Sequence, residues 1–263
     1  MYGTKCQVNF GMGNDKFHEE TIPRMREAFA CFCEPLVAEP EIIYTNRRID
    51  KYKDKVLLVL GGGGSTNKYL ENYIFNGDYI WSMNSFYKNP IIYKDIHVDL
   101  FTVGPEVDLK DPLLLEYLYK WDTTAAFELH QKWARNFPNP DTGLPVEYYW
   151  EEAEKFYYDK NKICFQTKFY SQLGAGVRLL IFAGICKFSR VYFIGFDGPE
   201  AILRGDHAFE VGKKQFPRAV QGMNSFNKIK FFEESYKIFW KYIRNLYPDT
   251  QFISIDKENK YHK

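Results

Sequence analysis

Lys55–Tyr87 reads KVLLVLGGGGSTNKYLENYIFNGDYIWSMNSFY. Its first apolar run, Val56–Leu60, has five such residues without alternation, the pattern of a parallel strand covered on both faces. The glycine turn Gly61–Gly64 follows, then Ser65 and Thr66, a short helix from about Asn67, and a second strand ending near Trp81. Four glycines permit a tight turn whose backbone N–H groups can approach a phosphate at a helix start. The same turn equally suits a strand-to-helix connection with no ligand. Asn84 stands just past the second strand, on the edge where open α/β sheets bind ligands.

Two common nucleotide signatures are excluded at this turn. A P-loop needs Gly-Lys-Ser/Thr, and Gly64 precedes Ser65 directly. A dinucleotide fingerprint needs a further glycine where Thr66 stands and an acidic residue after the second strand, where the chain has Ser82, Met83 and Asn84. An ordinary NAD or ATP fold is therefore disfavoured, and a nucleotide site of another kind is left open.

Outward from this stretch, residues 1–54 form an N-terminal lead-in with a helix from Thr21 to about Cys33, ended by Pro35. Arg47, Arg48, Lys51, Lys53 and Lys55 make a basic run, read as a solvated face. Residues 55–263 form a Rossmann-like nucleotide-binding domain. After a third strand, His97–Gly104, the composition changes. Asp111–Tyr119, Thr123–Asn136 and Val146–Tyr158 read as helices of an aromatic-rich insertion, about 105–160, placed as a lid. Trp121, Trp133, Tyr148, Tyr149, Trp150, Tyr157 and Tyr158 concentrate there, either as an acceptor surface or as packing against the sheet. Lys162–Thr167 reads as a strand, Gly176–Lys187 as a buried helix, Arg190–Asp197 as a strand, Phe226–Leu246 as a long helix and Gln251–Ile255 as a final strand. The alternation predicts an α/β, Rossmann-like fold: a mainly parallel sheet with helices on both faces and a helical insertion.

At 263 residues the chain can bury a sizeable core without staples. A net charge of +1 offers no electrostatic case for nucleic acid or an anionic membrane. The best apolar run, near Val177–Cys186, is interrupted by Arg178 and falls well short of a membrane span, and the polar N-terminus does not read as a signal peptide. Cys6, Cys31, Cys33, Cys164 and Cys186 are odd in number and lack metal spacing, which predicts a reduced, cytoplasmic chain without a structural metal. Aromatic residues make up 18% of the chain, too many to lie outside the core.

Three clusters fall at carboxyl ends of the predicted strands: Gly61–Ser65, Ser82–Asn84, and Asp197 with the loop after it. Gly174, Ala175 and Gly176 open a helix, where backbone donors suit an anion. His207, in Arg204-Gly-Asp-His-Ala-Phe-Glu210, is the histidine best placed to donate or accept a proton. A lone loop histidine is more often a polar surface residue. His18, His97, His130 and His262 are weaker candidates, and no pair has metal-ligand spacing. A serine elbow is absent and the cysteines lack polar surroundings, so a covalent nucleophile is not indicated.

With those clusters placed, the chain resembles glycosyltransferase family forty-two, the bacterial lipooligosaccharide sialyltransferases. It also resembles the related group of flagellin glycosyltransferases and 6-hydroxymethylpterin pyrophosphokinase-like proteins. Gly61–Ser65 and Asn84-Ser-Phe-Tyr87 match the family's glycine turn and its Asn-x-Phe-Tyr, at the 19-residue step from Ser65 to Asn84 that the family shares. Gly176-Val-Arg through Asp197 is similar to its Gly-Val helix and Gly-Ile-Asp strand, and His207-Ala-Phe-Glu210 to its Tyr-Ala-Phe-Asp. The resemblance implies a metal-independent transferase that takes a nucleotide sugar, CMP-sialic acid or a similar donor, and a glycan acceptor. It implies nucleotide binding by Gly61, Gly62, Gly63, Gly64, Ser65, Asn84, Gly174, Ala175 and Gly176, with His207 and Asp197 as catalytic residues. No cofactor is expected. Under the pyrophosphokinase alternative, Mg²⁺ would sit on Asp197, Asp206 and Glu210. The chain departs from the family in three places: the turn's Asn is Gly62, the Thr-Ser before the Gly-Val helix is Gly174-Ala175, and the general-base histidine is missing from Gly222-Met-Asn-Ser-Phe226. That last difference implies a third alternative, a nucleotide-binding module without catalysis.

Overall fold

The computed structural model of the chain describes residues 44–45, 49–103, 107–108, 111–128, 162–165, 173–214, 216, 220 and 222–262. The expected N-terminal helix and the aromatic lid helix of residues 146–158 lie outside these residues.

Among the described residues, eight strands form one sheet: β1 (Tyr44–Thr45), β2 (Val56–Leu60), β3 (Tyr79–Met83), β4 (Leu100–Val103), β5 (Thr124–Glu128), β6 (Lys162–Phe165), β7 (Arg190–Ile194) and β8 (Gln251–Ser254). Their spatial order is β1-β6-β5-β4-β3-β2-β7-β8. All neighbours pair in parallel except β1 and β6, which pair antiparallel at the edge. Among the described residues, six α-helices connect and cover the strands: α1 (Ser65–Leu70), α2 (Pro90–Asp95), α3 (Pro112–Trp121), α4 (Ala175–Ile185), α5 (Pro199–Arg204) and α6 (Ser225–Leu246). Leu57, Leu58, Leu60 and Val59 are all fully buried. Successive strand residues face opposite sides, so both faces of β2 are covered.

The strand order places a topological switch between β2 and β7. From β2 the chain builds outward through β3, β4, β5 and β6, and then returns to lay β7 on the other side of β2. Diverging connections leave a crevice at the carboxyl ends of these two strands. Large rings fill the core beneath it. Trp81 of β3 stacks on Phe182 of α4 at 5.4 Å, and Phe193 of β7 stacks on Trp240 of α6 at 5.1 Å.

Several expectations change. Thr124–Glu128, expected within a helix from Thr123, is a strand paired between β4 and β6. Burial in the sheet outweighs the alanines' helical preference: Thr124, Ala125 and Ala126 are all buried. The described part of the expected insertion, α3 and β5, is therefore an ordinary strand-crossover unit of the main sheet. The second strand continues to Met83, which brings Asn84 directly to the strand end. Helix α1 begins at Ser65, ahead of Asn67. Helices α2 and α5 were not expected. Both open on proline at the first turn, and Asn89 caps α2 by accepting from the backbone of Ile91 and Ile92 at 3.1 and 3.2 Å. Helix α4 is buried nearly all round, as its composition requires. Cys186 is buried and unpaired. Among the described residues, no helix is long and apolar enough to cross a membrane.

Candidate functional site

The glycine turn is held by the strand next to it. Gly61 N–H donates to the Ile194 carbonyl and Gly63 N–H to the Gly195 carbonyl, both at 2.8 Å. A β-carbon on Gly61 would lie 2.5 Å from the Gly195 carbonyl oxygen, so glycine is required for backbone to approach backbone. Asp197, just past β7, locks the turn from above: Ser65 N–H donates to its carboxylate at 2.7 Å, and the Ser65 hydroxyl donates to the other oxygen. Thr66 and Asn67 N–H groups go to the carbonyls of Gly63 and Gly64 at 3.0 and 3.1 Å. Gly63 and His207 form an antiparallel bridge that ties the turn to the loop after α5. The expected phosphate cradle is thus mostly closed upon itself. Asp197 is an anchor of the turn before it is anything else.

His207 sits over the turn. Its loop is tied down by Ala208 N–H donating to the Gly62 carbonyl at 2.8 Å and by Asn89, whose amide donates to the Ala208 carbonyl at 2.9 Å. The backbone N–H groups of Phe209 and Glu210 donate to His207 Nδ1 at 3.2 and 3.0 Å. Nδ1 is therefore the acceptor, and in the neutral ring Nε2 carries the proton. Burial and the Lys213 charge lower the pKa of His207, with Glu210 opposing, so the neutral donor form is favoured at neutral pH. A β-carbon on residue 62 would lie 2.8 Å from Nε2. The ring occupies the space of a side chain at that position, and Gly62 and His207 are a matched pair.

Gly62, Gly63, Asn84, Ala175, Gly176, Asp197 and His207 line one cleft of about 170 Å³ at the switch point. Gly64, Ser65, Asp197 and His207 also face an adjoining open groove of about 970 Å³. Gly61 and Gly174 line neither. Gly61 is packed against β7, and Gly174 supplies a φ of +99° ahead of α4. Asn84 has a left-handed φ of 48° and donates its N–H to the Thr102 carbonyl at 2.9 Å. Asparagine tolerates that conformation better than most residues, which gives Asn84 a backbone role besides its place on the cleft wall.

The carboxylates proposed for Mg²⁺ do not converge. Asp197 is engaged by Ser65, Asp206 by Arg204 at 2.8 Å, and Glu210 by Lys213 and, at 3.4 Å, Lys88. Among the described residues, no group of three His, Cys, Asp or Glu could hold a metal ion. Burial opposes ionisation of Glu210, but hydrogen bonds and charge from Lys213 and Lys88 hold its carboxyl below the usual range. The other described histidines are elsewhere. His97 stacks on Trp121 at 5.5 Å, and His262 is buried with its two ring nitrogens on Ser254 Oγ and the Phe196 carbonyl.

Lys213, Phe232 and Tyr236 also line the cleft, and the sequence does not single them out. Lys213 stands three residues beyond Glu210 and pairs with it, a signal readable along the chain. Phe232 and Tyr236 belong to the apolar stripe of α6, and nothing local separates them from core residues.

No protein-family model and no curated protein matches the chain. Among solved structures it is similar to a variant of the sialyltransferase CST-II in complex with CMP, at 14% identity and a TM-score of 0.45, over 78% of this chain and 82% of that one. A likeness at that score carries no inference about chemistry.

Proposed function

We propose that the protein is a metal-independent glycosyltransferase that takes a nucleotide sugar, CMP-sialic acid or a similar donor, and passes the sugar to a glycan hydroxyl. The observation that carries the reading is His207: a neutral imidazole, fixed through Nδ1, with Nε2 over Gly62 and its ring lining the cleft at the switch point. A donor held in that way suits a phosphate that gains charge as it leaves. As the acceptor hydroxyl oxygen forms its bond to the anomeric carbon and releases its proton to water, the bond to the phosphate oxygen breaks and its electron pair departs with CMP. One preorganised donor to such an oxygen lowers the barrier by roughly 3 kcal/mol. The sequence resemblance at Gly61–Ser65, Asn84 and His207–Glu210 supports the same assignment, with Gly62, Gly63, Asn84, Ala175 and Gly176 placed around the nucleotide.

A second reading, binding without turnover, has its own observation. His207 Nδ1 is engaged by two backbone donors and both nitrogens of His262 have partners. Among the described residues, no histidine on the cleft is free to take the acceptor's proton.

The test is a thermal-shift titration with CMP, UDP, GDP and ATP, each with and without Mg²⁺, followed by transfer assays with the nucleotide sugars of any nucleotide that binds. Saturation at about 100 times the dissociation constant adds roughly 2.7 kcal/mol of stability. Stabilisation by CMP that survives EDTA, with turnover that falls about a hundredfold in His207→Ala, is the expected result. Stabilisation by ATP only with Mg²⁺ would replace the proposal with phosphoryl transfer. CMP binding without turnover would select the second reading.

A further inference from the structure

We infer that the hydroxyl of Tyr236 is a phosphate contact of the bound nucleotide, a second donor beside His207. The inference rests on the nucleotide-sugar reading above. Tyr236 lies in the middle of α6 and is 4% exposed. Its ring is held between Phe232 and Tyr261, at centroid distances of 6.3 and 5.5 Å. It forms part of the same cleft wall as His207 and Lys213. Among the described residues, its hydroxyl has no hydrogen-bond partner.

Most other buried tyrosines differ on this point. Tyr87 donates to Asp111 at 2.8 Å, Tyr117 donates to the Ile96 carbonyl at 2.6 Å, and Tyr261 donates to Glu200. The hydroxyl of Tyr52 is sealed in the core without a partner, so a missing partner alone does not mark a binding residue. Tyr236 combines the missing partner with a place on the cleft. A hydroxyl that folding has stripped of most of its water and left without protein partners gains most from a ligand that supplies one.

The neighbours choose the ligand group. The carboxylates on the cleft, Asp197, Asp206 and Glu210, are engaged by Ser65, by Arg204 and by Lys213 with Lys88; His207 Nε2–H only donates, and a ligand atom shared by it and a phenol must be a strong acceptor. Phosphate oxygens meet that need. Burial and the Asp197 charge both raise the phenol's pKa, which keeps Tyr236 a neutral donor. The negative charge of Asp197 is itself engaged by the N–H and hydroxyl of Ser65. Nothing along α6 marks Tyr236 in the sequence.

The experiment measures CMP and cytidine binding by calorimetry to the full chain and to Tyr236→Phe, together with the melting temperature of each. Tyr236→Phe should melt no more than about 1 °C below the parent, since no protein hydrogen bond is lost. It should bind CMP about tenfold more weakly and cytidine equally well. Undiminished CMP binding, or equal weakening for CMP and cytidine, would overturn the phosphate contact. So would a variant that fails to fold or melts several degrees lower, because the hydroxyl would then be structural. If the parent chain binds neither ligand, the nucleotide reading itself falls and this contact with it. If the parent binds CMP and the variant binds it as well, only Tyr236 is wrong.

Discussion

Two glycine stretches meet at the cleft, Gly61–Gly64 after β2 and Gly174–Gly176 at the start of α4, and they use glycine for different physical reasons. In the first, crowding decides. β-carbons on Gly61, Gly62 and Gly63 would come within 2.5, 2.8 and 2.6 Å of the Gly195 carbonyl, the His207 ring and the Asp197 carboxylate. In the second, Gly174 has nothing within 4 Å of an added β-carbon, yet its φ of +99° with ψ of −175° is a conformation left almost wholly to glycine. Two residues on, Gly176 is crowded again, by Phe196 and Met83. The comparison teaches that a glycine run near a helix start need not be a phosphate nest. The first run closes on itself through Ile194, Gly195 and Asp197, which brings β2 against β7 and leaves room for His207.

If crowding governs the first turn, Gly61→Ala should be the most damaging change, costing about 4 kcal/mol or abolishing folding, because the obstacle is backbone on a central strand pair. Urea unfolding checks this, and a loss under about 1 kcal/mol would break the comparison. Asp197→Ala should follow at about 2–3 kcal/mol, since it leaves the Ser65 N–H and hydroxyl without their acceptor. Gly174→Ala should cost about 2 kcal/mol despite the open space around it. A neutral result there would mean that conformation is not what that position selects. Gly62→Ala should cost about 1 kcal/mol alone, and less when combined with His207→Ala, which removes the ring it meets. A double-mutant cycle reads that coupling directly.

The smallest expected effect is on pH. His207 and His262 both have pKa values lowered chiefly by burial. Below the ordinary histidine value of about 6.5, the unfolded chain binds more protons than the folded one. Stability is therefore full above that value and declines as pH falls through the histidine range. Unfolding curves at several pH values between neutral and mildly acidic should show this decline, and His207→Ala should flatten part of it.

Much of the sheet was legible from local pattern. Val56–Leu60 and Val191–Ile194 are continuous apolar runs, and α4 is apolar nearly all round, so each element announces its own burial. Thr124–Glu128 was misread because Thr-Thr-Ala-Ala-Phe-Glu is short and tolerates either state. Its pairing with β4 and β6 made the choice. At the site, Asn84 and His207 could be found from strand ends and loop chemistry. The bond between Asp197 and Ser65 could not be read locally, because the two lie 132 residues apart. Asn89, whose side chain joins α1, α2 and the His207 loop, left only the trace of an N-cap before Pro90.

By itself the sequence determined the α/β class, the glycine turn and the chemical candidates at strand ends, because periodicity and residue type are local properties. Only the tertiary structure decided that the turn's N–H groups are mostly taken, that Gly62 makes room for the His207 ring, that three carboxylates face separate cations or donors, and that Tyr236 reaches the cleft. Those outcomes depend on which strand is laid beside β2. Parallel pairing with β7 is made by backbone groups common to every residue, and residue type alone cannot reveal the contacts it creates.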